Sequence, residues 1–410
     1  MRASLACQPR NRAISLLFPA FQVQKPDPAK PDFSTLPIRA RPLAFKMTPA
    51  PFCPPLTVPL YLLNECAMSL PNAPESAPEA PFAEAKPGYL KEPAVRTIPD
   101  EDVIRHRPQW FREAVAAPVE SRYLTVDGTR LHYLRWGNDD ATRPGILFVH
   151  GNGAHAWWFS FIAPLLTNRY NIAAIDLVGM GDSEWRAHYD REIFARGVGE
   201  VALAAGLGPR PVVVGHSFGG FVTLITGKLY GEKLGGVMLC DFSVQPPEDA
   251  HEWFLGDPKR RPTRIYPDFE TAKARFRLAP LQPCSNGFII DYIAGLSLRE
   301  VKIGDNPGRG PSTEAGWTWK FDGPAFNGLR MGDDHHVIWR DLTCRGATMF
   351  GEQSKDYNPA RLDYMRKLSP GKPVFTIAGA QHHIMLDQPH AFAASVATMM
   401  AQWEAEGSLS

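Results

Sequence analysis

The stretch Pro211-Val-Val-Val-Gly-His-Ser-Phe-Gly-Gly220 places the pattern Gly-x-Ser-x-Gly directly after three consecutive valines. Three β-branched residues in a row are typical of a short parallel strand that is buried on both faces. Residues 221–230 have the apolar spacing of a helix, so the sequence predicts a strand, a sharp turn and a helix. Gly215 and Gly219 would let the two backbones approach, which forces Ser217 into a strained conformation with its hydroxyl exposed. A serine that only caps the helix is the alternative interpretation.

Composition restricts the classes of partner. The 410 residues carry a net charge of +1, with 44 Lys and Arg against 43 Asp and Glu, so neither a nucleic-acid partner nor an anionic membrane surface is expected. No stretch approaches the roughly 20 apolar residues that span a bilayer, so no membrane span is predicted. The six cysteines show neither metal spacing nor a paired framework, which favours reduced thiols and a cytoplasmic location.

Proline separates a leader from the rest of the chain. Residues 1–100 hold 19 of the 39 prolines and no sustained helical or strand period, so we expect them to be disordered or extended. Met68 lies inside this leader. One hypothesis is that the natural protein starts there and that residues 1–67 are upstream translation.

Strands alternate with helices in the remainder of the chain. Two alternating runs around Asp127-Gly128 predict a hairpin. Continuous apolar strands follow at 145–149, 171–175 and 236–240, with helices predicted at 159–166 and 191–207. After residue 241 this pattern breaks for about a hundred residues, and it resumes at 347–350 and 373–378 before a last helix at 389–403. The alternation predicts a mostly parallel, eight-stranded sheet with helices on both faces. We assign residues 101–242 and 341–410 to this α/β core and residues 243–340 to an inserted helical cap.

Four motifs follow the ends of predicted strands in chain order. They are His150-Gly-Asn-Gly153, Asp176-Leu-Val-Gly-Met-Gly-Asp-Ser183, the turn at Ser217, and Gly379-Ala-Gln-His-His-Ile-Met-Leu-Asp-Gln-Pro389. Together, over residues 121–403, they resemble the α/β-hydrolase family in its cap-bearing branch. The resemblance implies a catalytic serine, an acid and a histidine, in that chain order.

The resemblance identifies Ser217 as the nucleophile and His382 as its base. A serine hydroxyl is a poor nucleophile until an adjacent imidazole takes its proton, and the imidazole needs a carboxylate that fixes its tautomer. His382 follows the last strand at the family's distance. His383 is the competing residue, and we interpret it as a packing or capping side chain.

The acid has more than one candidate. The family's commonest position, Gly-x-x-Asp after the seventh strand, reads Gly351-Glu-Gln-Ser354 here, so a serine stands where the acid is usual. Some cap-bearing relatives carry the acid after the sixth strand, where this chain has Asp241. We therefore favour Asp241, with Asp356 as the alternative acid and Glu352 as a third candidate.

The remaining site residues concern the oxyanion and the substrate. Preorganised donors must stabilise the oxyanion that forms when a carbonyl is attacked, and the backbone amides of Asn152 and Phe218 are expected to supply them. Aromatic residues, among them Trp158, Trp317 and Trp319, are candidates for an apolar acyl pocket or for packing of cap against core. The run at 333–336, Asp-Asp-His-His, is interpreted as a solvated loop rather than a metal site.

The sequence therefore predicts a serine hydrolase that cleaves a carboxylic ester of a small molecule, with an apolar acyl group, through an acyl-enzyme on Ser217. No cofactor and no metal are expected. Dehalogenases and epoxide hydrolases of this family carry an aspartate where Ser217 stands, so those chemistries are not expected. A carbon–carbon bond hydrolase, a lactonase and a non-catalytic binding member of the fold remain as alternatives.

Overall fold

The computed structural model describes residues 107–249, 260–306 and 310–409. The predictions about the proline-rich leader and about Met68 therefore lie outside the described residues.

The described residues contain ten strands. The Asp127-Gly128 turn has a φ of 48° at Asp127 and 72° at Gly128, and it joins the first two strands as the predicted hairpin. The strands are β1 (Glu120–Val126), β2 (Thr129–Trp136), β3 (Gly145–Val149), β4 (Asn171–Ile175), β5 (Val212–His216), β6 (Gly236–Cys240), β7 (Leu298–Val301), β8 (Gly316–Trp319), β9 (Arg345–Gly351) and β10 (Val374–Ile377).

Eight of these strands form one sheet in the order β1-β2-β4-β3-β5-β6-β9-β10. The pairs from β4 through β3, β5, β6 and β9 to β10 are all parallel, and β2 pairs antiparallel with both β1 and β4. The predicted mostly parallel, eight-stranded sheet is confirmed. Because parallel strands present their carboxyl ends at one edge, the loops after β3, β5, β6 and β9 converge there.

Nine helices accompany the strands in the described part of the chain. They are α1 (Gln109–Ala116), α2 (Arg191–Ala204), α3 (Phe218–Tyr230), α4 (Phe269–Lys273), α5 (Gly287–Leu296), α6 (His335–Arg340), α7 (Pro359–Leu368), α8 (Ile384–Asp387) and α9 (Pro389–Ala405). None of them is long and apolar enough to cross a membrane.

The sheet is covered on both faces, because successive residues of its central strands alternate between two hydrophobic clusters. Ile146 and Phe148 of β3 lie in a cluster with side chains from α1 and α9. Leu147 and Val149 lie in a second cluster with side chains from α2 and α3. The two-sided burial explains why these strands are continuously apolar in the sequence.

The helix predicted at 159–166 is wrong. That segment contains two 3-10 turns, Ala156–Phe159 and Ala163–Leu165, and no α-helix. Pro164 lacks an N–H to donate and disfavours the helical conformation of the residue before it, so an α-helix cannot run through this position.

The segment between β6 and β9 combines short helices with a two-stranded sheet. It holds α4, α5 and α6, and β7 pairs antiparallel with β8. Lys320 and Asp322, just after β8, bond through their backbones to Gly181 and Gly179 in the loop that follows β4. The Lys320 ammonium also lies 2.8 Å from the carboxylate of Asp182. The inserted segment is thus joined to the carboxyl edge of the sheet, and its role as a cap stays a prediction.

Candidate active site

The turn at Ser217 is the most strained point of the candidate site. Its φ of 55° and ψ of −121° lie outside the regions that L-residues commonly occupy. A Cβ at Gly215 would overlap the carbonyl oxygen of Gly219, and one at Gly219 would overlap those of Val149 and His150. Both glycines are therefore required by close backbone approach, as the motif predicts. The strand ends at His216 and α3 begins at Phe218, so Ser217 lies between them, half-buried.

A chain of hydrogen bonds runs from Ser217 through His382 to Asp241. The Oγ of Ser217 lies 2.9 Å from Nε2 of His382, and Nδ1 of His382 lies 2.6 Å from Oδ2 of Asp241. Because a carboxylate only accepts, the proton sits on Nδ1, which leaves Nε2 as the acceptor for the serine hydroxyl. The favoured serine, base and acid therefore meet in space.

Asp241 is held in one orientation by its surroundings. It is fully buried, directly follows β6, and has a φ of 49°. Its Oδ1 accepts the backbone N–H of Gly351 at 2.9 Å, and its Oδ2 accepts the hydroxyl of Ser354 at 2.5 Å. These bonds offset the cost of burying the carboxylate. Ser354, which stands where the family usually has its acid, thus donates to the acid on the neighbouring strand.

The alternative acid, Asp356, lies beside the same histidine. Its Oδ2 is 3.0 Å from Nδ1 of His382, and its side chain is 40% exposed. Glu352, the third candidate, is exposed and accepts the N–H of Gly379 at 3.2 Å. Among the described residues, it makes no hydrogen bond or ion pair with His382.

Burial and charge oppose each other at His382. Desolvation lowers the pKa of the imidazole, but the hydrogen bonds and charges of Asp241 and Asp356 outweigh it and raise the pKa to about 9. His216 and His383, whose rings lie 5.0 Å from that of His382, behave in the opposite way. Burial lowers the pKa of His216 to about 3 and that of His383 well below its usual range. Of these three histidines, only His382 has a raised pKa and is therefore suited to accept a proton.

His383 packs rather than faces Ser217, in agreement with the interpretation from the sequence. Its backbone N–H and its Nδ1 both lie within 3.0 Å of Oε1 of Gln282. His150 is likewise buried and satisfied, because its Nδ1 donates to the carbonyl of Gly151 and its Nε2 accepts the N–H of Leu177.

The two candidate oxyanion donors flank Ser217. Phe218 follows it at the start of α3, and Asn152 lies in the loop after β3. That loop touches the turn, since a Cβ at Gly151 would lie 3.4 Å from Cβ of Ser217. Within the described residues, neither the amide of Asn152 nor that of Phe218 donates a hydrogen bond. Both amides are thus available to an anion, although their role stays a prediction.

The three tryptophans lie in two groups. Trp158 is buried and contacts His383, with ring centroids 5.7 Å apart. Phe276 connects it to Trp319, at 6.3 Å from the first ring and 6.1 Å from the second. Trp317 instead packs on Phe269 of α4. The first group lies beside the histidine cluster, whereas Trp317 is partly buried against other residues of the inserted segment.

The run at 333–336 is only in part the predicted solvated loop, because Asp333 is exposed whereas Asp334 is partly buried and the two histidines begin α6. Asp334 precedes α6 and forms a bidentate ion pair with Arg191, whose two terminal nitrogens lie 2.5 Å and 3.0 Å from the two carboxylate oxygens. Desolvation opposes ionisation, but the hydrogen bonds and charge of Arg191 lower the pKa of Asp334 to about 2. The carboxylate is therefore already occupied by a cation of the protein.

A second serine–histidine–aspartate chain escaped the sequence analysis. The Oγ of Ser121 lies 2.8 Å from Nε2 of His132, and Nδ1 of His132 lies 2.7 Å from Oδ2 of Asp176. Tyr123 is the direct partner of His132 in the β1–β2 register, so Ser121 is its diagonal neighbour. The hairpin signal could have revealed this contact, because the turn fixes the register.

The comparisons with known proteins agree with this architecture. Residues 146–395 match the alpha/beta hydrolase family. Epoxide hydrolase 1 of Caenorhabditis elegans is 30% identical over 124 residues, which cover 30% of each chain. Probable esterase PIR7A of Oryza sativa subsp. indica is 26% identical over 255 residues, which cover 59% of this chain and 91% of the relative.

Solved structures add the fold alone. The thioesterase domain from the curacin biosynthetic pathway superposes with a TM-score of 0.55 at 19% identity, over 68% of this chain and 99% of that domain. The chain spans less than half the length of the first curated relatives that it matches, 30% and 42%. The family match, by contrast, covers more than half of the 410 residues. The chain therefore belongs to the alpha/beta hydrolase family.

Proposed function

We propose that this protein is a serine hydrolase that cleaves a carboxylic ester of a small molecule through an acyl-enzyme on Ser217. The observation that carries the proposal is the pair of hydrogen bonds of 2.9 Å and 2.6 Å that joins Ser217, His382 and Asp241. The similarity to a relative named as an esterase supports the same reaction class.

The chemistry begins with the transfer of one proton. As Oγ of Ser217 attacks the ester carbonyl, Nε2 of His382 takes the hydroxyl proton and the ring becomes an imidazolium. Asp241 stabilises that cation through Nδ1–H and keeps the ring oriented. The imidazolium then gives its proton to the leaving alcohol, and an acyl-enzyme remains on Oγ. Water, activated by the same nitrogen, releases the acid and restores the serine.

The negative charge that develops on the carbonyl oxygen needs preorganised donors. The amides of Asn152 and Phe218 flank Ser217 and, within the described residues, donate to no other acceptor. The positive end of the α3 backbone dipole adds to this stabilisation, because Phe218 is the first residue of that helix. Loss of one such donor typically costs about 100- to 1,000-fold in kcat.

The similarity to an epoxide hydrolase raises a competing reaction. In the family, epoxide opening and dehalogenation use a carboxylate nucleophile at the elbow position, which forms an alkyl ester. This chain has a hydroxyl there, at Ser217. The carboxylates of the site lie on the other side of the ring, at Nδ1 of His382. The arrangement therefore favours acyl transfer over attack on an alkyl carbon.

The test combines a covalent probe with a panel of substrates. We expect a fluorophosphonate to label Ser217 stoichiometrically, and p-nitrophenyl esters of increasing acyl length to be hydrolysed. Ser217→Ala should lose labelling and at least about four orders of magnitude in kcat. A parallel panel of epoxides and haloalkanes should give no turnover.

Ser121→Ala is the matched control, because Ser121 also lies within hydrogen-bonding distance of a histidine that contacts an aspartate. It should keep both labelling and turnover. If the wild-type protein is neither labelled nor active, or if Ser217→Ala is as active as the wild type, the serine-hydrolase proposal is wrong.

A further inference from the structure

One nitrogen of the candidate base faces two carboxylates. Nδ1 of His382 lies 2.6 Å from Oδ2 of Asp241 and 3.0 Å from Oδ2 of Asp356. A neutral imidazole has a single proton on that nitrogen, whereas one carboxylate suffices to fix its tautomer. The second carboxylate is therefore additional to what the reaction described above requires.

The two carboxylates differ in their surroundings. Asp241 is fully buried, while Asp356 is 40% exposed and lies in the loop between β9 and α7. Oδ2 of Asp241 already accepts two hydrogen bonds, from Ser354 and from His382. Among the described residues, no other side chain lies within ion-pair distance of Asp356, so its carboxylate is available to His382.

Ser354 connects the two acids. Its hydroxyl donates to Asp241, and the same oxygen accepts the backbone N–H of Asp356 at 3.1 Å. The bond ties the backbone of residue 356 to Ser354 in the turn after β9, and the carboxylate of the same residue lies 3.0 Å from Nδ1 of His382. The second carboxylate is thus positioned by the same serine that orients the first.

We propose that Asp356 is a second positioning residue for His382, which acts together with Asp241 rather than instead of it. This inference rests on the proposed function, because it concerns the base that activates Ser217. The imidazolium that forms during acyl transfer would be stabilised by two carboxylates. The Nδ1–H would also keep a carboxylate acceptor when either acid is removed.

The charges around the ring explain how this effect would be observed. The titratable side chains that face His382 in the described residues are Asp241, Asp356, His216 and His383. Burial keeps the last two neutral at physiological pH, since it lowers the pKa of each. Among the described residues, no Lys or Arg lies within ion-pair distance of either carboxylate, and the two carboxylates together raise the pKa of His382. Removal of the charge of Asp356 should therefore make the imidazole lose its proton at a lower pH.

The experiment measures the rate constant of fluorophosphonate labelling between pH 5 and pH 10, which needs no knowledge of the natural substrate. For Asp356→Asn, we expect the rising limb of the profile to move about one pH unit lower. For Asp241→Asn, we expect a loss of about a hundredfold, because Asp356 still orients the ring. The double variant should lose about ten-thousandfold, as when a triad has no acid.

Glu352→Gln is the control for charge, because it removes a carboxylate at the same strand end and keeps an oxygen for the N–H of Gly379. It should leave the profile unchanged. An unchanged limb in Asp356→Asn overturns the proposal, as does a double variant no slower than Asp241→Asn alone. Even if Asp241→Asn does not fold, the position of the rising limb in Asp356→Asn still tests the proposal. Absence of labelling in the wild type would instead contradict the proposed function.

Discussion

Two serine–histidine–aspartate chains in this protein have almost the same hydrogen-bond lengths and very different surroundings. In the first, Ser217 and Asp241 lie 2.9 Å and 2.6 Å from the two nitrogens of His382. In the second, Ser121 and Asp176 lie 2.8 Å and 2.7 Å from those of His132. Distances alone therefore cannot distinguish a reactive cluster from a structural one.

The backbone beneath each serine differs. Ser121 lies inside β1, where its residue pairs regularly with Leu134. Ser217 occupies a strained turn at the N-terminus of a helix. Only three non-glycine residues in the described part of the chain have a positive φ, and they are Asp127, Ser217 and Asp241. Two of the three belong to the first chain, which is where strain is expected at a functional site.

The two aspartates also have different tasks. Asp176 accepts backbone amides of Ala156 at 2.6 Å and Asp182 at 2.8 Å, so it ties together the loops after β3 and β4. Asp241 accepts one backbone amide, and its second oxygen serves His382. The comparison teaches that a strained serine backbone and unoccupied amides, in addition to the hydrogen bonds, distinguish the cluster that we propose as catalytic from the one that ties two loops together.

The largest expected effect is a contrast between the two histidines: loss of one should reduce activity, and loss of the other should reduce stability. His382→Ala should reduce kcat by at least about four orders of magnitude while the protein stays folded, because the base is lost. His132→Ala should retain turnover in the folded fraction but lower the free energy of unfolding by about 3 kcal/mol, because it removes a hydrogen-bond partner from the buried carboxylate of Asp176. Ester hydrolysis and urea unfolding measure the two quantities. Equal loss of activity in both variants would contradict the distinction.

A second prediction compares Gly219, in the turn at Ser217, with Gly128, in the hairpin turn between β1 and β2. A Cβ at Gly219 would overlap carbonyl oxygens of β3 and its following loop, so Gly219→Ala should displace the turn, abolish labelling of Ser217 and destabilise the fold by about 3 kcal/mol. A Cβ at Gly128 meets nothing within 4 Å. Gly128→Ala should therefore lower the free energy of unfolding only through the strain of an alanine at a φ of 72°, by about 1 to 2 kcal/mol. Gly128→Ala, the control, should keep full activity. Similar labelling in both variants would show that the turn at Ser217 tolerates displacement.

The sequence predicted the elements that local patterns encode. Strands β3, β4 and β6 have the predicted boundaries because continuous apolar runs end where the strands leave the core. Ser217 was proposed as the nucleophile because it directly follows β5, and His382 was proposed as the base because it lies in the loop that follows β10. The joint contact of Asp241 and Asp356 with one nitrogen was not predictable, since it depends on how the turn after β9 folds around Ser354. That fold is set by long-range contacts that no local pattern encodes.

The pH dependence of activity follows from the pKa of His382. Only the neutral ring can accept the proton of Ser217, and its pKa is raised to about 9. We therefore expect kcat/KM to rise with pH up to about 9 and to be about a hundredfold lower two pH units below that value. A pH profile of ester hydrolysis, corrected for the spontaneous reaction, measures it. A profile that is flat from pH 6 to pH 9 would contradict the assignment.

Stability should respond to pH in opposite ways at the two clusters. The raised pKa of His382 contributes stability that is fully present below its ordinary value of 6.5 and is lost as pH rises toward about 9. At Asp176, burial opposes ionisation, but the hydrogen bond and charge of His132 lower the pKa below its ordinary value of 3.8. That contribution is present above 3.8 and is lost in acid. Thermal unfolding against pH should therefore lose its alkaline slope in His382→Gln and part of its acid slope in Asp176→Asn.

The smallest expected effect concerns Ser354. Its hydroxyl donates to the buried carboxylate of Asp241, and Ser354→Ala leaves that oxygen with His382 as its remaining donor. We expect a loss of about 1 to 3 kcal/mol in stability and about tenfold in kcat, because the acid is less firmly oriented. Ser369→Ala, at another buried serine whose Oγ lies 3.4 Å from Nζ of Lys372, is the control and should change neither quantity by a comparable amount. If both variants behave alike, Ser354 is a packing residue, and the network that joins the two acids does not support the base.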